Sequence, residues 1–302
     1  MNKKEGMNLL TAKEKLAKMN LTVNFLFEKV MADPEAGQLL CRIILETVLQ
    51  RSVGRIRITS QKSYPGLDEE RHGIRLDVYV EEEANTADDE PLTSIYDIES
   101  DNNSGDVNVL PQRVRFYRAK MDEKFLHAGA EYGVLPSVYI IMILTYDPFG
   151  RNRMVYTVKN TCVEVPDLPY EDGARNLFLY CMGTEGNPSE ELRSLLKYIQ
   201  DTREENAFNE KLKKLHRVVD RVRHDEEVSI SYMKYYEELE DARKKGKAEG
   251  RAEGKAEVWE ESVRNLMETM ELTAEQALDA LKIEGNERRK ILERIIGQQV
   301  AD

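Results

Sequence analysis

Gly73 to Glu83 reads GIRLDVYVEEE, and its period is two: Leu76, Val78 and Val80 point one way, while Arg75, Asp77 and Tyr79 point the other. Alternation built from β-branched and aromatic residues predicts a strand. The same reasoning makes strands of RIRITS (55–60), SIYDIES (94–100), SVYIIMIL (137–144) and MVYTVKN (154–160). SVYIIMIL is apolar on both faces, as a strand in the middle of a covered sheet would be. Upstream, Val23 to Val30 reads as a short helix. Asp33-Pro34 then opens a second one to about Leu49, whose Leu39, Leu40, Ile43, Ile44 and Val48 recur at helical spacing. VLPQRVRFYRAKMDEKFL (109–126) is a further helix, between the third and fourth strands. The order helix, three strands, helix, strand, strand predicts an α/β or α+β core.

Past Pro188 the chain turns helical and charged. Residues 1–188 are therefore read as the core and 189–245 as a charged helical extension of two or three helices. In KGKAEGRAEGKAE (245–257), Gly246, Gly250 and Gly254 recur every four residues, and each glycine costs a helix about 1 kcal/mol. That cost predicts a flexible, partly helical connector over 246–257. Residues 258–302 form a small tail of three short amphipathic helices, with Thr273 and Gln276 spaced for a capping box. Self-association through these C-terminal helices is expected.

A chain of 302 residues, 41% hydrophobic and 33% charged, suits one substantial domain with a charged appendage. Its longest apolar run, Val138 to Leu144, is far short of the roughly 20 residues that span a bilayer, and the N-terminus carries no apolar signal segment, so a cytoplasmic protein without membrane contact is expected. Cys41, Cys162 and Cys181 have no metal-like spacing and read as reduced, mostly buried residues. His72 lies near the acids of the second strand but next to a turn and reads as a surface residue, and His127, His216 and His224 show no ligand spacing. A net charge of −12 excludes non-specific coating of nucleic acid, so any DNA contact must be local.

Acids mark one place on the predicted sheet. In IYDIESD, Asp97, Glu99 and Asp101 share a face. A hairpin with its loop from about Glu83 to Thr93 is centred on Asp88, and Asp77 and Glu99 lie equally far from that centre, so antiparallel pairing sets them directly opposite one another. Opposed like charges destabilise a sheet unless a cation sits between them. Oxygen donors alone favour Mg²⁺ or Mn²⁺, whose chemistry with phosphate is phosphodiester hydrolysis. Glu46 projects from the inward side of the 34–49 helix and either joins Asp77 and Glu99 as a metal ligand or pairs with an arginine such as Arg55. The competing view of Asp77 and Glu99 is a pair of solvated strand charges.

GIRLDVYVEEE, SIYDIESD, LPQRVRFYRAKMD, YGVLPSVYIIMIL and DPFG, in this order and at these spacings, resemble the PD-(D/E)XK nuclease family transposases, also called recombination-promoting nucleases. The resemblance covers roughly residues 20 to 250. It implies a restriction-endonuclease-like core, a divalent-metal DNA endonuclease and a role in DNA recombination. It places Asp77 as the first catalytic acid and Glu99 as the acid of the second motif, with Glu46 where the first core helix often supplies a further acid. Two residues after the second acid the superfamily has lysine and this family glutamine; here the residue is Asp101. Three readings stay open: Asp101 binds metal, Gln112, Arg113 or Lys120 on the next helix takes over the role, or only binding remains.

Five basic residues, Arg113, Arg115, Arg118, Lys120 and Lys124, against Asp122 and Glu123 give that helix a local positive charge. It is the expected phosphate-facing element, with Arg113, Arg115, Arg118 and Lys120 as DNA contacts.

Overall fold

Asp33 caps the helix that the Asp33-Pro34 step predicts: its Oδ1 accepts from the N–H of Glu35 (3.0 Å) and of Ala36 (2.8 Å), and Pro34 occupies the first turn. The computed structural model describes residues 8–64, 73–83, 92–126 and 129–299. Within them run α1 (Leu9–Ala17), α2 (Asn24–Ala32), α3 (Pro34–Leu49), β1 (Arg55–Tyr64), β2 (Ile74–Glu83), β3 (Leu92–Asp101), α4 (Leu110–Glu123), β4 (Ser137–Leu144), β5 (Val155–Lys159) and β6 (Ala174–Tyr180). The helices α5 (Glu190–Gln200), α6 (Glu210–His224), α7 (Glu226–Met270), α8 (Ala274–Ala280) and α9 (Gly285–Gln299) follow. His72 and His127 lie outside the described residues.

The strands form one six-stranded mixed sheet in the order β1-β2-β3-β4-β6-β5. β1, β2 and β3 are antiparallel; β4 runs parallel to both β3 and β6. β4 is central and buried on both faces, as its sequence predicts. The sequence reading passed over β6, which inserts between β4 and β5. Helix α4 covers one face, where Val114 and Leu110 meet Ile140, Met142, Leu144 and Phe178. On the other face Ser60 of β1 donates to the Met31 carbonyl at the end of α2 (3.2 Å), and α3 packs beside it. The α2–α3 corner is tight: a Cβ on Gly37 would lie 2.5 Å from the Met31 carbonyl oxygen.

The expected boundary at Pro188 is corrected. One compact unit runs from Asn8 to Tyr232, because α5 and α6 bury amphipathic faces against α1, α2 and α3. In α6 these are Leu212, Leu215, Val218, Val219 and Val222. Arg223, 4% exposed, donates to the carbonyls of Met19 and Thr202 (the latter 2.8 Å), and Thr202 Oγ1 accepts from Leu21 N–H (2.9 Å). The two ends of this unit are thereby stitched together.

The second unit begins at Met233 and has its own core of Val263, Ala277, Leu278, Ile283, Ile291 and Ile295. Thr273 and Gln276 form the expected capping box at the start of α8. The glycine-spaced segment is not a connector but the interior of α7, a continuous helix of 45 residues. Alanine, glutamate, lysine and arginine surround the glycines, and these strong helix formers outweigh them. No helix among the described residues is long and apolar enough to cross a membrane.

Candidate functional site

Strands β2 and β3 pair with Val78 opposite Ile98 and Tyr79 opposite Asp97, which is the predicted register. It brings Asp77 beside Glu99, where a side chain replaces the main-chain ladder. The Asp77 N–H donates to Glu99 Oε1 (2.8 Å), and the Ser100 N–H donates to Asp77 Oδ2 (3.3 Å). Glu99 is 7% exposed and Asp97 is fully buried, with neither carboxyl oxygen of Asp97 in a hydrogen bond of good geometry. By the parallel register with β4, Asp97, Glu99 and Asp101 stand beside Ile140, Met142 and Leu144 under α4.

Burial and mutual repulsion dominate the electrostatics. Burial first, then the charge of Asp77, pushes Glu99 up to about 7. Burial lifts the Asp97 carboxyl well above the usual range, and Glu99 beside it raises it further. Asp77 is also raised, chiefly by burial, although the Ser100 N–H opposes the rise. Glu28 on α2, which accepts from Gln61 Nε2 (2.6 Å), adds negative charge at Asp77. Three carboxyl groups thus share a poorly solvated place. Among the described residues, however, no three His, Cys, Asp or Glu side chains are arranged to hold a metal ion. Asp77 and Glu99 lie beside one another, each accepting a main-chain N–H, and are the two oxygen-donor side chains that could take part in holding a hard cation.

Asp101 is neither free nor turned to this pair. It accepts a hydrogen-bonded ion pair from Arg113 of α4, the Tyr146 hydroxyl (3.2 Å) and the Asn103 N–H (2.8 Å). Arg113 also lowers the cost of charging Asp77, Asp97 and Glu99, so it is the α4 cation that reaches the acids. Gln112 is exposed. Glu46 does not join the group: its carboxylate meets Lys211 Nζ (3.1 Å) and Arg42 Nη1 (3.6 Å), so pairing wins, with partners other than Arg55.

The basic residues of α4 also differ from the phosphate-facing pattern. Arg113 is held by Asp101, Arg118 donates to Asn176 Oδ1, and Lys120 pairs with Glu123 (3.1 Å); Arg115 is exposed. Their spacing shows charge but not direction, and packing of Val114 and Met121 on the sheet turns Arg113 and Arg118 inward. Asp97 and Glu28 are the site residues that sequence reasoning missed. Asp97 shares its face with Glu99 and Asp101 in the alternation, which was the available signal; its burial comes from α4.

Comparison with protein-family models, with curated proteins and with solved structures yields no match. The side-chain geometry therefore carries the functional argument together with the motif resemblance.

Proposed function

We propose that this chain is a divalent-metal-dependent DNA endonuclease on a restriction-endonuclease-like core, serving DNA recombination or mobile elements. The observation that carries the reading is the grouping of half-buried Asp77 with buried Asp97 and Glu99, carboxyl groups whose charging desolvation and mutual repulsion both oppose in the absence of a cation. The element order and the central parallel strands agree with such a core.

Asp77 and Glu99 would hold the metal, which when bound supplies Lewis acidity toward a phosphodiester and acidifies water. Asp97, fully buried behind Glu99 and raised well above the usual carboxyl range, resists charging and so leaves a cation to Asp77 and Glu99. Arg113 stays charged at all accessible pH, so it cannot accept a proton; held on Asp101, it contributes positive charge to the acid group. Asp101 is engaged by three donors and orients Arg113 rather than taking a proton.

That closed Asp101 and Arg113 pair, standing where relatives of this motif carry lysine or glutamine, favours a second reading: a catalytically degenerate DNA-binding or scaffold protein. A plasmid-nicking assay in Mg²⁺, Mn²⁺ or EDTA separates the two. The endonuclease reading requires cleavage that EDTA abolishes and that Asp77→Ala and Glu99→Ala both remove; metal-independent binding with no cleavage supports the second.

A further inference from the structure

The same face of the sheet carries a cationic counterpart to the acid group. Gln61 takes a left-handed backbone (φ 53°), a local irregularity in β1, and the next residue, Lys62, lies over the buried Tyr79 ring, Nζ 3.3 Å from its centre. Lys124, at the end of α4, approaches that ring to 5.5 Å. Both ammonium groups stand 3.9 Å from one oxygen, Glu81 Oε1, and Arg57 meets the other oxygen at 3.5 Å. One carboxylate thus serves three cations, one of which, Arg57, is shared with Glu83 (2.9 Å). Burial first, and then Lys124 beside it, lowers Lys62 to about 8, against the opposing charge of Glu81.

Tyr79 stands opposite Asp97, two residues before Glu99 on β3, and Glu81 opposite Ile95, four residues before it, so the lysine pair lies about 7–13 Å along the strands from Glu99. One polyanion strand can touch both. Arg113 and Arg118, the α4 cations that a phosphate would otherwise meet, are engaged inside the chain.

We infer that Lys62 and Lys124, set on Tyr79 around Glu81, form a phosphate-binding subsite that holds the DNA backbone beside the acid pair. This rests on the endonuclease reading for its ligand but not for its geometry.

The test is binding of a short labelled duplex of arbitrary sequence to the full chain by fluorescence anisotropy, in EDTA to prevent cleavage, across a chloride series. The Lys62→Met/Lys124→Met variant should bind unrelated sequences more weakly to an equal degree, and its salt dependence of log K should flatten by about 2, one per lysine. Arg115→Met, on the exposed side of α4, should change the slope by less. If the double variant fails to fold, Lys124→Met alone, at a half-exposed helix end, should flatten the slope by about 1. Wild-type binding that the lysine substitutions leave unchanged overturns the subsite and spares the endonuclease reading. No duplex binding by the wild type in EDTA also overturns the subsite, while the endonuclease reading stands or falls by the nicking assay. Displacement of the duplex by inorganic phosphate beyond the effect of equal ionic strength, with no change of slope in the variants, would assign a free-phosphate site and overturn the DNA subsite.

Discussion

Glu99→Gln should stabilise the protein, and the gain should depend on pH. In the native state Glu99 keeps its proton up to about 7, against an ordinary value of 4.5. Between those values folded Glu99 holds a proton that the unfolded chain has released, so its contribution to stability falls as pH rises and levels off above about 7. A shift of that size corresponds to roughly 3 kcal/mol at full charging, at about 1.4 kcal/mol per unit. Glutamine keeps an oxygen to accept the Asp77 N–H but carries no charge; the weaker neutral hydrogen bond returns about 1 kcal/mol, leaving roughly 2 kcal/mol. At about 2–4 °C per kcal/mol for a unit of this size, the variant should melt roughly 4–8 °C above the wild type at pH 8 and level with it near pH 4.5. Urea or thermal melts at a series of pH values in EDTA provide the measurement. A variant no more stable than wild type at pH 8, or a wild type whose stability rises from pH 5 to 7, would refute the reasoning.

Manganese at about a hundred times its dissociation constant should stabilise the wild type by about 2.7 kcal/mol at pH 8. The gain should shrink below pH 6 as Glu99 takes up its proton and vanish in Asp77→Ala, both read from melts with and without metal. Glu82 is held down to about 2 by Arg51, Tyr96 and the Gly54 N–H against the opposing effect of burial, so its contribution is present above pH 4.5 and is lost as pH falls toward 2. Glu82→Ala should cost roughly 1–3 kcal/mol in a urea melt at pH 7, because it leaves the Tyr96 hydroxyl and the Gly54 N–H without their acceptor while half-exposed Arg51 turns to water. Replacing Gly246, Gly250 and Gly254 with alanine meets nothing within 4 Å of the added carbons and should raise the helix stability of that stretch by about 1 kcal/mol per site, measured as slower amide exchange. Unchanged exchange there would show that α7 is not helical through its glycines.

Much of this architecture is legible in residue order because two periods alternate along it. Pro34, the β-branched runs and the capping box at Thr273 each carry a local physical cause, and they stand where the pattern puts them. The β2 and β3 register was legible too, since the loop centre on Asp88 fixes which acids meet. β6 escaped because ARNLFLY opens with residues of low strand preference and has only Leu177 to Tyr180 to signal its pairing. What packing decides was not legible. Arg113 and Arg118 have the spacing of an exposed basic face, yet they turn inward because α4 lies on the sheet through Val114 and Met121. Glu46 looked like an inward acid and meets Lys211, a partner from a helix far along the chain. The glycines of α7 argued for a break only when counted without their neighbours.

Arg223 also sets a schedule for synthesis. It closes on the carbonyl of Met19, 204 residues earlier, and Thr202 receives Leu21 across 181 residues. A ribosome adding about 5–20 residues per second needs on the order of 10–40 s to deliver α6 after the first helices have emerged. Throughout that interval the apolar sides of α1, α2 and α3 that α6 will cover stay bare, whether or not the strands between have begun to pair. A nascent chain stalled before residue 210 should therefore be a strong client of holding chaperones, and one released beyond Tyr232 should not.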